Sequence, residues 1–303
     1  MKKILLVYNP VAGGAEFKKN LDNVIENLQR REILPVIYRT RAENSAKDFA
    51  ECIKISDAAG IIVAGGDGTL HHVVNWLVKT GTNLPVGVIG SGTSNDFATH
   101  LNAGEIFDAV AENRTRAVDL GEANGEYFIN VAAAGAFTSI AHEVDSRRKN
   151  SLGKLAYYIR GLGEIPALKT FALNVRADGV EFELDAFLFL VLNSPAVAGF
   201  KNISSATKID DGRLDFIALK KSSPRDLLSL TKKILAGNSV DAEANVFFVQ
   251  AKDFEIRAAV DLVSDLDGEI GSALPLKIST RPAVLNFFTS ERFLTLSRST
   301  LVG

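Results

Sequence analysis

Gly65-Gly66-Asp67-Gly68-Thr69 follows directly on the apolar run Ile61-Ile62-Val63-Ala64. A strand that ends in glycines and opens a helix presents backbone N–H groups with no side chains in front of them, which is how proteins hold phosphates. Leu70, Val73, Val74, Leu77 and Val78 then recur at helical period, so a helix follows. Asp67 is the unusual member. Phosphate repels a carboxylate unless a divalent cation lies between them, so Asp67 points to Mg²⁺ bound with a nucleotide. The plain alternative is a Gly-rich turn that only reverses the chain.

Two further segments repeat the pattern. Strand Ile4-Leu5-Leu6-Val7-Tyr8 runs into Asn9-Pro10-Val11-Ala12-Gly13-Gly14, then a helix with Phe17, Leu21, Val24, Ile25 and Leu28 on one face. Strand Pro85-Val86-Gly87-Val88-Ile89 gives way to Ser91-Gly92-Thr93-Ser94-Asn95-Asp96-Phe97-Ala98. Three such units put three loops at the carboxyl edge of one parallel sheet, the edge where open α/β sheets bind ligands. A phosphate cradle would draw on Asn9 to Gly13, Gly66 to Thr69, and Thr93. Asp67, Asp96 and Asp119 each follow a strand and are expected to converge there around Mg²⁺. Asp96 by itself would read as a helix N-cap. Asn95 and Asn130 are expected to orient these carboxylates or the phosphate.

These segments resemble the catalytic domain of the diacylglycerol kinase family, specifically the bacterial lipid kinases related to sphingosine and ceramide kinases. The matching residues are Asn9-Pro10-Val11-Ala12-Gly13, Gly65 to Thr69, and Gly92-Thr93-Ser94-Asn95-Asp96-Phe97-Ala98. The resemblance continues in Phe128-Ile129-Asn130-Val131-Ala132-Ala133-Ala134-Gly135, Lys208-Ile209-Asp210-Asp211-Gly212 and Leu266-Asp267-Gly268-Glu269. Two departures stand out: Ser91 replaces part of a Pro-Leu or Pro-Met lead-in, and Gly14 replaces a frequent basic residue.

The resemblance implies ATP as phosphoryl donor, Mg²⁺, and a lipid hydroxyl as acceptor, with diacylglycerol as first expectation. It brings Thr40, Gly65, Leu70, His71 and His72 into the nucleotide site, although spacing alone makes Thr40 a simple strand-end residue. Solvated helix positions are the plain reading of the two histidines. The segment 208–213 becomes a structural metal loop, with the carbonyls of Lys208 and Arg213 and the side chain of Asp211 as hard oxygen donors. Without the family it reads as an Asp-Gly turn. Asp267 and Glu269 become the pair that activates the acceptor, Glu269 preferred as general base. An extended Asp265 to Glu269 would point both carboxylates into one cleft; spacing alone favours an exposed Asp-Gly-Glu turn.

The surrounding elements give the fold class. Strand and helix alternate to about Leu120, which predicts a doubly wound parallel α/β domain over residues 1–120. Hairpin signals at Asn124-Gly125 and Asp178-Gly179 then introduce many strands, an antiparallel β-sandwich over 121–282. Helices are expected near Ser151–Gly163 and Pro224–Leu235. By resemblance, residues 283–303 return to the first domain and the active site lies in the cleft between the two.

With 303 residues, 47% hydrophobic and 23% charged, the chain fits a globular enzyme. A net charge of −2 gives a nucleic-acid partner no electrostatic support. Met1-Lys2-Lys3 enters a strand without an apolar leader, and the longest apolar run, Ala186–Leu192, is far short of a bilayer span. The expected compartment is the cytoplasm, with transient contact at the inner membrane face. Arg147-Arg148-Lys149 is a candidate for that contact, and a homodimer is compatible with the sequence. Cys52 is the single cysteine and is expected as a small core residue. No histidine spacing suggests zinc. Two competing functions remain open: a soluble-substrate kinase akin to NAD kinase, which shares Gly-Gly-Asp-Gly, and a silent lipid- or nucleotide-binding regulator.

Overall fold

The structure, a computed structural model, describes residues 1–41, 45–92, 95–101, 105–135, 170–197 and 199–291. The expected helix near Ser151–Gly163 and the run Arg147 to Lys149 lie outside these residues, as does Thr93. Contacts divide the chain into Met1–Val118 with Ala283–Gly303, and Asp119–Pro282.

The first unit is a parallel sheet with strand order β2-β1-β3-β4, from β1 (Lys2–Tyr8), β2 (Ile33–Arg39), β3 (Ile61–Gly65) and β4 (Val86–Gly90). Strands covered on both faces need continuous apolar runs rather than alternation. Ile4 to Val7 and Ile61 to Ala64 supply them, every one fully buried. The helices are α1 (Glu16–Gln29), α2 (Ala46–Ser56), α3 (Asp67–Lys79), α4 (Asp96–His100) and α5 (Ile106–Ala111). Phe17, Val24 and Leu28 of α1 pack with Ile4, Leu6, Ile33 and Ile62. Leu70, Val73, Val74 and Leu77 line the buried face of α3. A capping box starts α2: Ser45 Oγ accepts the Asp48 N–H, and the Asp48 carboxylate accepts the Ser45 N–H. The register Leu5↔Ile61 to Tyr8↔Ala64 and Ile61↔Val86 to Gly65↔Gly90 brings the strand ends out level.

The second unit is antiparallel. It holds β5 (Thr115–Ala123, entering from the first unit), β6 (Glu126–Phe128), β7 (Val131–Gly135), β8 (Phe171–Ala177) and β9 (Val180–Leu192). It continues with β10 (Leu214–Lys220), α6 (Pro224–Leu235), β11 (Val246–Ala251), β12 (Asp253–Ala258), β13 (Val263–Leu266) and β14 (Glu269–Ala273). Strand β15 (Leu276–Phe288) begins beside β12, and its end, at Phe287, pairs with Val86 of β4 in the first unit. The apolar runs of the sequence suggest two strands here, Leu276 to Thr280 and Val284 to Phe288; the structure makes them one, with Ala283 at φ 51° inside it.

Strand β9 is the centre, pairing with β7, β8 and β10. Its apolar half explains the run Ala186–Leu192. Phe189 and Val191 enter one core with Phe216 and Phe254, while Leu188, Leu190 and Leu192 enter another with Leu230 and Ile234 of α6. The Phe189–Phe216 and Phe216–Phe254 ring centroids lie 5.7 and 6.0 Å apart.

Three two-residue turns close hairpins, at Asn124-Gly125, Asp178-Gly179 and Asp267-Gly268, each with φ positive at both residues. That backbone suits Asn or Asp followed by Gly. The third turn corrects the sequence reading: Asp265 to Glu269 is not one extended stretch, so period-two alternation does not apply across it.

Candidate active site

At the level strand ends of the first unit, three backbone bonds carry the sheet one residue further. Asn9 N–H donates to Ala64 C=O, Thr40 N–H to Tyr8 C=O, and Ser91 N–H to Gly65 C=O, at 3.1, 2.9 and 3.0 Å. The loops are then fastened to one another. Asn9 Nδ2 donates to Thr69 Oγ1 (3.1 Å), while Asn9 Oδ1 accepts the Val11 N–H (3.0 Å). Gly13 has φ 53°, and a Cβ there would lie 2.0 Å from the Ser91 carbonyl oxygen, so the first loop touches the third through bare backbone. Gly66 is the N-cap of α3, whose opening amides precede the intrahelical ladder.

Asp67 is buried, and its carboxylate accepts the N–H groups of Asp96 (3.2 Å) and Phe97 (3.4 Å). It therefore caps α4 from 29 residues away and joins the second loop to the third. Asn95 closes its own loop: Oδ1 accepts the Gly92 N–H and Nδ2 donates to the Gly92 carbonyl, both at 2.9 Å. It orients the loop backbone rather than a carboxylate.

The side chains of Leu70 and His71 turn into the interior, and His71 Nε2 lies 3.4 Å from Asn75 Nδ2. His71 is thus not the solvated residue the sequence suggests, whereas His72 is exposed and stacks on Trp76. Val11 is exposed; Pro10 is buried; Ala12 and Thr40 are half-buried. Cys52 on α2 is half-buried too, outside the core, and burial raises its thiol pKa.

Asp119 lies in the second unit, with the segment 208–213. Its N–H donates to Ile209 C=O (2.7 Å) and its Oδ2 accepts the Gly212 N–H (2.6 Å). Asp211 Oδ1 accepts the Arg213 N–H (3.0 Å), an Asx turn. Burial pushes the Asp211 carboxyl above its ordinary value; the charges of Asp215 and Asp119 add to this, against the Arg213 N–H and the Lys208 charge. Hard oxygen donors among crowded negative charge suit a divalent cation. The Lys208 and Arg213 carbonyls and the Asp211 carboxylate therefore fit Mg²⁺ in donor chemistry. Of the three aspartates expected around Mg²⁺, Asp67 accepts the Asp96 N–H in the first unit and Asp119 accepts the Gly212 N–H in the second. Among the described residues, no group of three or more His, Cys, Asp or Glu side chains is arranged to hold a metal.

Asp267 is 1% exposed and carries φ 53° in the β13–β14 turn. Its carboxylate accepts three backbone N–H groups, from Ile129 (2.7 Å), Asn130 (2.8 Å) and Val131 (3.0 Å). Asp265 Oδ1 accepts the Gly268 N–H (2.7 Å). Both aspartates thus accept backbone N–H groups of this corner and turn. Glu269 is half-buried at the first position of β14.

Models of two domain families match the chain: the diacylglycerol kinase catalytic domain over residues 3–123, and the YegS C-terminal NAD kinase beta sandwich-like domain over 130–289. A diacylglycerol kinase of Bacillus subtilis (strain 168) is 31% identical over 280 residues, 91% of this chain and 92% of that protein. One of Staphylococcus haemolyticus (strain JCSC1435) is 34% identical over 274 residues, 89% and 83% of the two chains. The chain belongs to the diacylglycerol kinase family. A crystal structure of a diacylglycerol kinase from Bacillus anthracis str. Sterne superposes with a TM-score of 0.79 at 26% identity, covering 96% of this chain and 98% of that one. As a kinase of this family, the protein transfers a phosphoryl group to a hydroxyl.

Sequence reasoning gave no role to Asp265, or to Asn193, whose Nδ2 donates to the Ile129 carbonyl (2.7 Å) beside the N–H groups that Asp267 holds. Asn193 left a usable signal: it ends the longest apolar run, and an amide carried into a core has to find hydrogen-bond partners.

Proposed function

We propose that the protein is an ATP-dependent kinase of a membrane-borne lipid alcohol, with diacylglycerol as acceptor and phosphatidic acid as product. The observation that carries this reading is the trio of phosphate-type loops at one sheet edge, fastened to each other through Asn9, Gly13 and Asp67. The names of the curated relatives support the choice of lipid. Backbone amides at the start of α3 and in the first loop bind the nucleotide phosphates. The acceptor hydroxyl gives its proton to the Glu269 carboxylate as its oxygen bonds to the γ-phosphorus. The bond from that phosphorus to the bridging oxygen breaks, and ADP leaves. Mg²⁺, when bound, offsets phosphate charge; Lys208, Asp211 and Arg213 would hold a structural ion.

A lipid acceptor requires reversible contact with a membrane surface, since no helix among the described residues is long and apolar enough to cross one. A second reading, a kinase of a soluble acceptor, is favoured by the NAD kinase-like character of the matched second domain. The deciding experiment incubates the protein with γ-labelled ATP, Mg²⁺, micellar diacylglycerol, sphingosine and ceramide, and soluble NAD. Label in phosphatidic acid is expected; label in NAD phosphate would support the second reading, and no transfer to any acceptor would favour a silent regulator.

A further inference from the structure

The corner Ile129-Asn130-Val131, which leads into β7, is buried throughout, and all six of its main-chain polar groups are hydrogen-bonded. The three N–H groups go to the Asp267 carboxylate. On the carbonyl side, Ile129 accepts from Asn193 Nδ2 (2.7 Å), Asn130 from the N–H groups of Asn193 (2.9 Å) and Ser194 (3.2 Å), and Val131 from the Asp267 N–H (3.0 Å). Asn193 is fully buried, and its Nδ2 also donates to the Asp119 carbonyl at 2.9 Å. Two side chains from distant parts of the sequence thus grip one three-residue corner from both sides.

Glu269 sits two residues beyond Asp267. Its backbone pairs with Leu266 across the turn, and Leu266 pairs with Ala132 of β7. The Gly268 N–H between them is held by Asp265. Charge-assisted bonds to a buried carboxylate are short and directional, so the position of the turn follows the position of the corner. We propose that Asp267 and Asn193 are positioning residues: together they lock the Ile129–Val131 corner and so fix the turn that presents Glu269, and neither takes the substrate proton. The positioning claim rests on the kinase reading above; the clamp itself does not.

A misplacement of about 1 Å at a reacting group costs roughly 100-fold in rate. Asp267→Asn removes the charge and turns an NH₂ group towards N–H donors. Asn193→Asp keeps the shape but sets a carboxylate against the carbonyls of Asp119 and Ile129. Both variants are expected to lose about 100-fold in kcat with KM for ATP little changed. The acid limb of the Asp267→Asn pH–rate profile should stay at its wild-type position, and Glu269→Gln should abolish that limb.

Amide hydrogen exchange gives the readout that activity does not. In the wild-type protein the amides of 129–131 should exchange among the slowest of the second unit, and both clamp variants should release them. Fast exchange of these amides in the wild type would overturn the proposal without any variant. So would full kcat in a folded variant that has lost protection at 129–131. Loss of the acid limb in Asp267→Asn with protection intact would make Asp267 itself the base. If Glu269→Gln stays active while Asp267→Asn loses protection, the base assignment falls and the clamp stands.

Discussion

Asp67 shows how a residue can be conspicuous in sequence and still have its partners hidden. A carboxylate in a phosphate-type turn suggests a metal, but nothing in the spacing says that two backbone N–H groups at 96 and 97 will reach it. Those bonds make Asp67 the fastener of the second and third loops. Asp67→Ala should therefore lower stability as well as activity, by about 1–3 kcal/mol for the amides left unsatisfied. Thermal melting and ADP binding measured on the same sample check this: a variant that melts normally yet has lost ADP would return Asp67 to a purely metal-linked role. Gly13 is more severe. Its φ of 53°, and the 2.0 Å that would separate an added methyl from the Ser91 carbonyl oxygen, leave Ala nowhere to go. Gly13→Ala should cost about 1–3 kcal/mol in backbone strain and abolish nucleotide binding, as calorimetric titration with ADP would show.

Elements were legible where local pattern decides them. Continuous apolar runs gave the parallel strands, and Asn-Gly or Asp-Gly between strand-like segments gave two hairpins. Asp267-Gly268 is the same dipeptide, but its flanks, Val-Ser-Asp-Leu and Glu-Ile-Gly-Ser-Ala, carry little apolar alternation. Strand β14 exists because β13 pairs with it, and that is tertiary information. The Ser204–Ala206 loop was likewise invisible, since its anchor, Asp241, is 35 to 37 residues downstream. Burial works against ionisation of Asp241, but the hydroxyl and N–H of Ser205 and the hydroxyls of Ser204 and Ser239 outweigh it and hold the carboxyl below its ordinary value. A depressed folded-state pKa contributes stability above the unfolded value of about 3.9 and loses it as pH falls through the folded value. Asp241→Asn should therefore melt below the wild type at pH 7, with the gap closing below about pH 4. A gap that persists unchanged at pH 3 would show that the charge is not what holds this loop. For the 208–213 loop, Mg²⁺ should raise the melting temperature of the wild type but not of Asp211→Asn, since only the former keeps the anionic donor. Equal responses would favour a plain Asx turn.

At the scale of the whole molecule, the proposed lipid acceptor stays in a bilayer while the chain's own net charge is −2. Overall charge does not draw such a chain to an anionic surface, whereas a local basic segment contributes about 1 kcal/mol per Lys or Arg close to the lipid. Arg147-Arg148-Lys149 is the candidate the sequence offers. Three such charges would give a weak, reversible attachment, suited to an enzyme that takes substrate from the surface and leaves. Because the attraction acts over a Debye length of about 10 Å at 0.1 M salt, it should fade as salt rises. The protein is expected to sediment with vesicles containing anionic lipid at low salt and to be released at about 0.5 M. Reversing all three charges should weaken sedimentation and slow the phosphorylation of diacylglycerol in those vesicles. Turnover of a short-chain, water-dispersed diacylglycerol should be unaffected, because the phosphate loops and Glu269 are untouched. Unchanged sedimentation in the triple variant would move the contact elsewhere, and an equal loss on both substrates would show that the substitutions had damaged the catalytic machinery.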